Sequence, residues 1–181
     1  MKNRFEAESK IKVSMIRKSA GEAYAKIRAE ASNPKSDIWW GGTGDPHLQA
    51  AAEGYTEEYK SPTLPKLQPW ALKQAETAKY RTVGIYIGIL GLAYNENVLK
   101  KKNLPPPQCW KDLVKPAYKG EIEMANPNSS GAAYNALATV VQLFGEEEAF
   151  DFLAKMGQNV SKYPNAGVAP GEDVGRGEAG V

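Results

Sequence analysis

The sequence predicts an α/β fold built on parallel-type sheets, and three observations carry that expectation. Short strand-like stretches alternate with stretches of 3.6-residue apolar periodicity along the whole chain. The loops leaving several strand-like stretches are rich in glycine, serine and proline and open directly into helices. The 181 residues, 42% hydrophobic and 24% charged, are enough to bury the core of one domain or of two small lobes.

The elements follow in order. Residues 2–8 read as the remnant of an amphipathic helix, and Ile11–Ile16 (IKVSMI) as an alternating strand. A helix over 20–32 places Ala20, Tyr24, Ile27 and Ala31 on one face, and Asn33-Pro34 ends it. Asp37–Gly41 (DIWWG) reads as a short buried strand, followed by the turn GGTGDP and a short helix over 46–53. Residues 55–66 are irregular, and a helix follows at about 69–78. Thr82–Asn95 is the most apolar stretch, and Gly84, Gly88 and Gly91 break it into two strands.

Residues 96–118 hold a lysine-rich turn, three prolines at 105–107 and a short helix at WKDLV. Gly120–Ala125 is a strand and NPNSSG a loop. The helix over 132–144 then carries Ala133, Leu137, Val140 and Phe144 on one face. A further helix over 146–156 buries Ala149, Phe150, Leu153 and Met156, before a last strand at 160–163 and a weak helix near 168–176. The chain has no internal repeats and no low-complexity tracts.

Composition removes several functional classes. A net charge of +2, from 23 basic and 21 acidic residues, provides no broad field for nucleic acid. Cys109 is the sole cysteine and His47 the sole histidine, too few ligands for a zinc site and no basis for an internal disulfide. The longest apolar stretch, Val83 to Tyr94, carries three glycines and is too short to cross a bilayer. The start, MKNRFEAESK, has no signal-peptide core, and both ends read as cut. The dinucleotide fingerprint fails because His47 stands where its third glycine belongs, and no Gly-Lys-Ser/Thr phosphate loop exists. No cofactor is expected.

In a parallel sheet, ligands sit beyond the carboxyl ends of the strands, which selects the loops Lys18–Glu22, Gly41–His47 and Asn126–Ala132. GGTGDPH reads as a tight turn with Asp45-Pro46 starting a helix, or as an anion site made by that helix start. In NPNSSG, Ser129 or Ser130 can cap the following helix, and Gly131 lets backbone approach closely. Capping needs only one serine, so the loop stays open between a cap and an oxyanion receptor. His47, two residues after Asp45, could serve an enzyme as a base, although the plainer reading is a cleft-edge histidine. Tyr86 reads as a core tyrosine with its hydroxyl satisfied. The KKK run at 100–102 is a solvated helix end.

The stretches DIWWGGTGDPHLQAAAEG, VGIYIGILGLAYN, CWKDLVKPAYKGEIEMANPNSSGAAYNALATVVQLFGEEEAFDFLAKM and RGEAGV, taken in order, resemble bacterial periplasmic solute-binding proteins of ABC transporters. The nearest group contains ferric-ion-binding proteins and their phosphonate- and organic-anion-binding relatives. The resemblance implies a type II binding-protein architecture of two α/β lobes with the ligand between them. Residues 1–88 would form a partial lobe one and 89–181 lobe two, with the hinge crossing around Gly88–Asn95.

Carried over by position, Ser129, Ser130, Gly131 and Ala132, with Asn126 before them, match the loop that binds an anion at a helix start. Gly41, Gly42 and Thr43 match the facing loop, Tyr86 shapes the pocket wall, and Asn165 falls near a further cleft position. Ferric members often carry an acidic ligand where Gly42 and Thr43 stand, which counts against direct iron coordination. The resemblance also implies a periplasmic location, an ABC permease as partner and a small anionic ligand. The family's first lobe-one strand and its C-terminal continuation are not in this sequence, so lobe one is expected to be incomplete, with edges prone to self-association.

Overall fold

The best-formed part of the molecule is its C-terminal half. There α6 (Gly131–Phe144) and α7 (Glu146–Gly157) pack against a small parallel sheet in the computed structural model, which describes residues 2–181. Gly145 separates the two helices at φ 78°, a left-handed conformation that glycine adopts without steric cost. Glu146, Glu147 and Glu148 in the first turn of α7 complement the positive end of that helix. α7 buries Ala149, Phe152 and Met156, spaced three and four residues apart, and Leu153 is partly buried. The expected burial of Phe150 is corrected, because its side chain is 60% exposed. At 100° per residue it points well away from the stripe that the other three define.

β1 (Ile122–Glu123) pairs in parallel with β2 (Val160–Lys162), Ile122 opposite Val160. On the other side of β1 the chain end continues the ladder. Val181 N–H donates to Glu121 O (2.9 Å), Glu123 N–H donates to Val181 O (3.0 Å), and Asn95 N–H donates to Gly180 O (2.9 Å). The core gathers Leu99, Leu113, Tyr118, Ile122, Val140, Phe152, Met156 and Val181 around this sheet. Buried Tyr118 satisfies its hydroxyl on Pro105 O (2.6 Å), and buried Asn159 donates to Leu113 O and Lys115 O. α5 (Glu96–Lys101) ends in the lysine run, in keeping with its reading as a helix end, and is capped by the Asn95 side chain, which accepts from Asn97 and Val98 N–H. α8 (Ala169–Arg176) closes this half.

The N-terminal half contributes α1 (Lys2–Ser9), α2 (Ala20–Ala29), α3 (Gly44–Ala52) and α4 (Pro69–Thr77), close to the expected spans. Its expected strands at 11–16, 37–41 and 82–95 are not formed. No backbone hydrogen bond joins these three segments to one another among the described residues. Their apolar side chains face solvent, Ile38 at 77% and Ile89 at 96% exposure. A strand exists only when a neighbouring chain supplies the other side of its ladder, so strand-like composition alone leaves these segments extended and unpaired.

Candidate functional site

Three helices begin at one place. α2 starts after Ser19, whose N–H and hydroxyl both donate to the Glu22 carboxylate (3.1 and 2.8 Å). α6 starts at Ser130, a 2% exposed cap whose Oγ accepts from Ala133 N–H at 3.3 Å, while its carbonyl accepts from Tyr134 N–H. A first helical turn leaves N–H groups without intrahelical acceptors, and in α6 those of Gly131 and Ala132 remain. α3 starts after Thr43, which has extended cap geometry but makes no side-chain cap bond. Its Oγ1 is buried and has no hydrogen-bond partner among the described residues. An orphaned buried hydroxyl is costly, so its place beside two helix starts is informative.

These starts border a cavity of about 230 Å³ whose lining includes Gly21, Thr43, Asp45, Ser129, Ser130 and Gly131, together with Tyr24, Gln49, Asn128 and Tyr134. Two glycines make the approach possible. Gly21 N–H donates to Ser129 O (3.1 Å), and a Cβ at Gly21 would meet that oxygen at 2.9 Å. A Cβ at Gly131 would sit 3.0 Å from Thr43 Cβ and Cγ2 and closer still to Oγ1. No lysine or arginine lines the cavity. An anion there would be held by backbone N–H groups, hydroxyls and the positive ends of three helices. A wider depression of about 530 Å³ at the start of α7 is lined by Glu146, Glu147, Glu148 and Asp151, a charge that repels anions.

Of the residues singled out from the sequence, Thr43, Ser129, Ser130 and Gly131 line the cavity. Asn126, Gly41, Gly42, Tyr86, Ala132 and Asn165 are not among its lining residues. Asn126 organises the loop, its carbonyl accepting from Ser129 and Ser130 N–H (3.1 and 2.8 Å) and its Oδ1 accepting from Asn128 N–H (2.9 Å). Asn165 contributes its carbonyl, which accepts from Ser129 Oγ at 2.9 Å. Tyr86 is not in the apolar core; its ring is exposed and its hydroxyl accepts from Gly42 N–H (2.9 Å) and donates to Gly42 O (3.2 Å). His47 bonds Gly41 O through Nε2 (2.8 Å) and stacks on Trp39, ring centroids 3.7 Å apart. Burial holds its pKa below the usual histidine value, opposed by the Gly41 bond.

Gly21, Tyr24, Gln49, Asn128 and Tyr134 line the cavity without standing out in the sequence, where Asp45 entered only beside His47. Gly21 was within reach, since its loop was one of the three selected by the carboxyl-end rule. Tyr134 lies one turn into α6 on the side of Ser130, a helical neighbour of the cap. No group of three or more potential metal-binding side chains occurs among the described residues.

Comparison with known proteins places the chain in a family. The sequence profile of bacterial extracellular solute-binding proteins matches residues 33–180. An uncharacterised protein of Haemophilus influenzae is 45% identical over 172 residues, which is 94% of this chain and 50% of that protein. The periplasmic binding protein AfuA of Actinobacillus pleuropneumoniae, solved with exogenous fructose-6-phosphate bound, is 42% identical. It superposes with a TM-score of 0.92 over 99% of this chain and 56% of its own. The periplasmic binding protein P5PA is 37% identical, with a TM-score of 0.93 over 99% of this chain and 57% of its own. The chain thus spans about half the length of these relatives, and every helix start described above falls within the superposed part. On this fold and this profile, the chain belongs to the bacterial extracellular solute-binding proteins.

Proposed function

We propose that the protein captures a small anionic solute, a phosphate monoester of a hydroxylated compound, as the substrate-binding component of a periplasmic ABC uptake system. The carrying observation is the convergence of three helix starts and an unpartnered Thr43 hydroxyl on one cavity. Residues 1–88 form one lobe and 89–181 the other, so Gly21 and Thr43 face Ser129, Ser130 and Gly131 across the cleft. AfuA, 42% identical and solved with fructose-6-phosphate, supports a phosphorylated sugar over a bare carboxylate or a metal–anion complex. The single carboxylate at the cavity, Asp45, can accept bonds from hydroxyl groups beside the anionic head. Loaded ligand would pass to a membrane permease, and no catalytic step is involved.

Calorimetry with fructose 6-phosphate, inorganic phosphate, methylphosphonate and ferric citrate tests the proposal. Binding of the phosphate ester that is weakened by Ser130→Ala and by Thr43→Val supports it. Absence of binding, or both variants binding like wild type, overturns it.

The unpaired segments at 11–16, 37–41 and 82–95 support a second reading, self-association through lobe one. Light scattering across a concentration series should show a dimer or larger species, and a monodisperse monomer at every concentration refutes it.

A further inference from the structure

The geometry points to Tyr86 and His47 as positioning residues that hold the Gly41-Gly42 turn in shape and so set Thr43 and the start of α3 in the cleft. The inference rests on the anion-site reading above but assigns these two side chains a task without ligand contact. Gly41 and Gly42 lie at φ +80° and +96°, two successive left-handed residues with many alternative conformations open to them. No backbone–backbone hydrogen bond fastens the stretch from 34 to 43 among the described residues. Two side chains do so instead.

The Tyr86 hydroxyl spans both polar groups of Gly42, accepting from its N–H and donating to its carbonyl. Its ring is largely exposed, so burial is not what keeps a tyrosine there. His47 takes the adjoining carbonyl, Gly41 O. A carbonyl only accepts, so Nε2 carries the proton, and the stack on Trp39 fixes the ring plane. The turn is thus gripped from two sides, by the first turn of α3 and by the segment that leads towards α5. The next residue is Thr43, whose Oγ1 is the orphaned hydroxyl of the cavity. Without the grip, ligand binding would have to order two glycines as well as close the cleft.

Amide hydrogen exchange on the ligand-free protein tests the grip itself. Tyr86→Phe, which removes only the hydroxyl, should raise exchange at Gly42 N–H at least tenfold while the melting temperature stays within about 2 °C, as for one exposed bond. His47→Phe keeps a ring on Trp39 but no donor, and should raise exchange at Gly42. His47→Gln, whose amide can still donate, should restore much of the protection. In titrations with fructose 6-phosphate, Tyr86→Phe and His47→Phe should each weaken binding about five- to tenfold. His47→Gln should lie closer to wild type. Unchanged exchange at Gly42, or wild-type affinity in both phenylalanine variants, overturns the assignment. If wild type fails to bind the ester yet exchange responds as expected, the grip stands and the ligand reading falls.

Discussion

Gly131→Ala should block closure of the cleft while sparing the helix that carries it. Gly131 has no positive φ, so alanine is tolerated at the start of α6 and, if anything, favours helix. The added methyl would stand 3.0 Å from Thr43 Cβ and Cγ2 and closer to Oγ1, where ordinary contact begins at 3.4 Å. Rotating Thr43 leaves its Cβ in place, so the two halves must part by a few tenths of an ångström. That separation lengthens the 3.1 Å Gly21–Ser129 bond to the edge of hydrogen-bonding range, at up to about 1 kcal/mol. It also draws the start of α3 away from an anion seated on α6, at up to about 1 kcal/mol more. Together these amount to up to about 2 kcal/mol, or up to about thirtyfold in Kd. Calorimetry with fructose 6-phosphate reads the affinity, and thermal melting should show no loss. Wild-type affinity in Gly131→Ala would refute the closed geometry.

Other perturbations probe single links of the argument. Ser130→Ala removes the α6 cap and should lower stability by about 1 kcal/mol in denaturant unfolding, in addition to its effect on binding. Phe152→Ala should cost about 3–5 kcal/mol, whereas Phe150→Glu should fall within about 0.5 kcal/mol of wild type; the reverse order would contradict the burial of α7. The Asp112 carboxyl is held down to about 2 by the Lys115 ammonium and by the Gln108 and Cys109 N–H groups. Its stabilisation is therefore complete above its ordinary value of 3.8 and is lost as pH falls towards 2. Asp112→Asn should flatten that part of the acid-unfolding curve. His47, whose pKa burial lowers from 6.5, should make the protein lose stability as pH drops below 6.5, and His47→Phe should reduce that loss.

How much of this was legible in the sequence follows from the range of the forces involved. Helices α2, α3, α4, α6 and α7 were readable because their signals are local: a cap at Ser130, Pro34 beyond α2, and apolar residues at three and four spacing. The strands of the N-terminal half were misread because pairing is non-local. IKVSMI and VGIYIGIL have strand composition, but nothing among the described residues pairs with them. Phe150 was misplaced because neighbouring Phe150 and Phe152 offered two faces, and only packing against α6 decides between them. At the site, each helix start could be seen alone. The meeting of Thr43 with Gly131 and of Gly21 with Ser129 could not, since these pairs are brought together by the fold. Tyr86 was recognised as important and given the wrong surroundings, because its sequence neighbours are apolar while its hydroxyl serves a turn 44 residues away.

The central claim is that the converging helix starts hold an anionic head group. The most direct measurement is amide nuclear magnetic resonance during titration with fructose 6-phosphate and, separately, with fructose. Saturable downfield shifts are expected at the N–H groups of Gly131, Ala132 and Gly44 with the phosphate ester, and none with the free sugar. Equal responses to both, or none at these three amides, would contradict it.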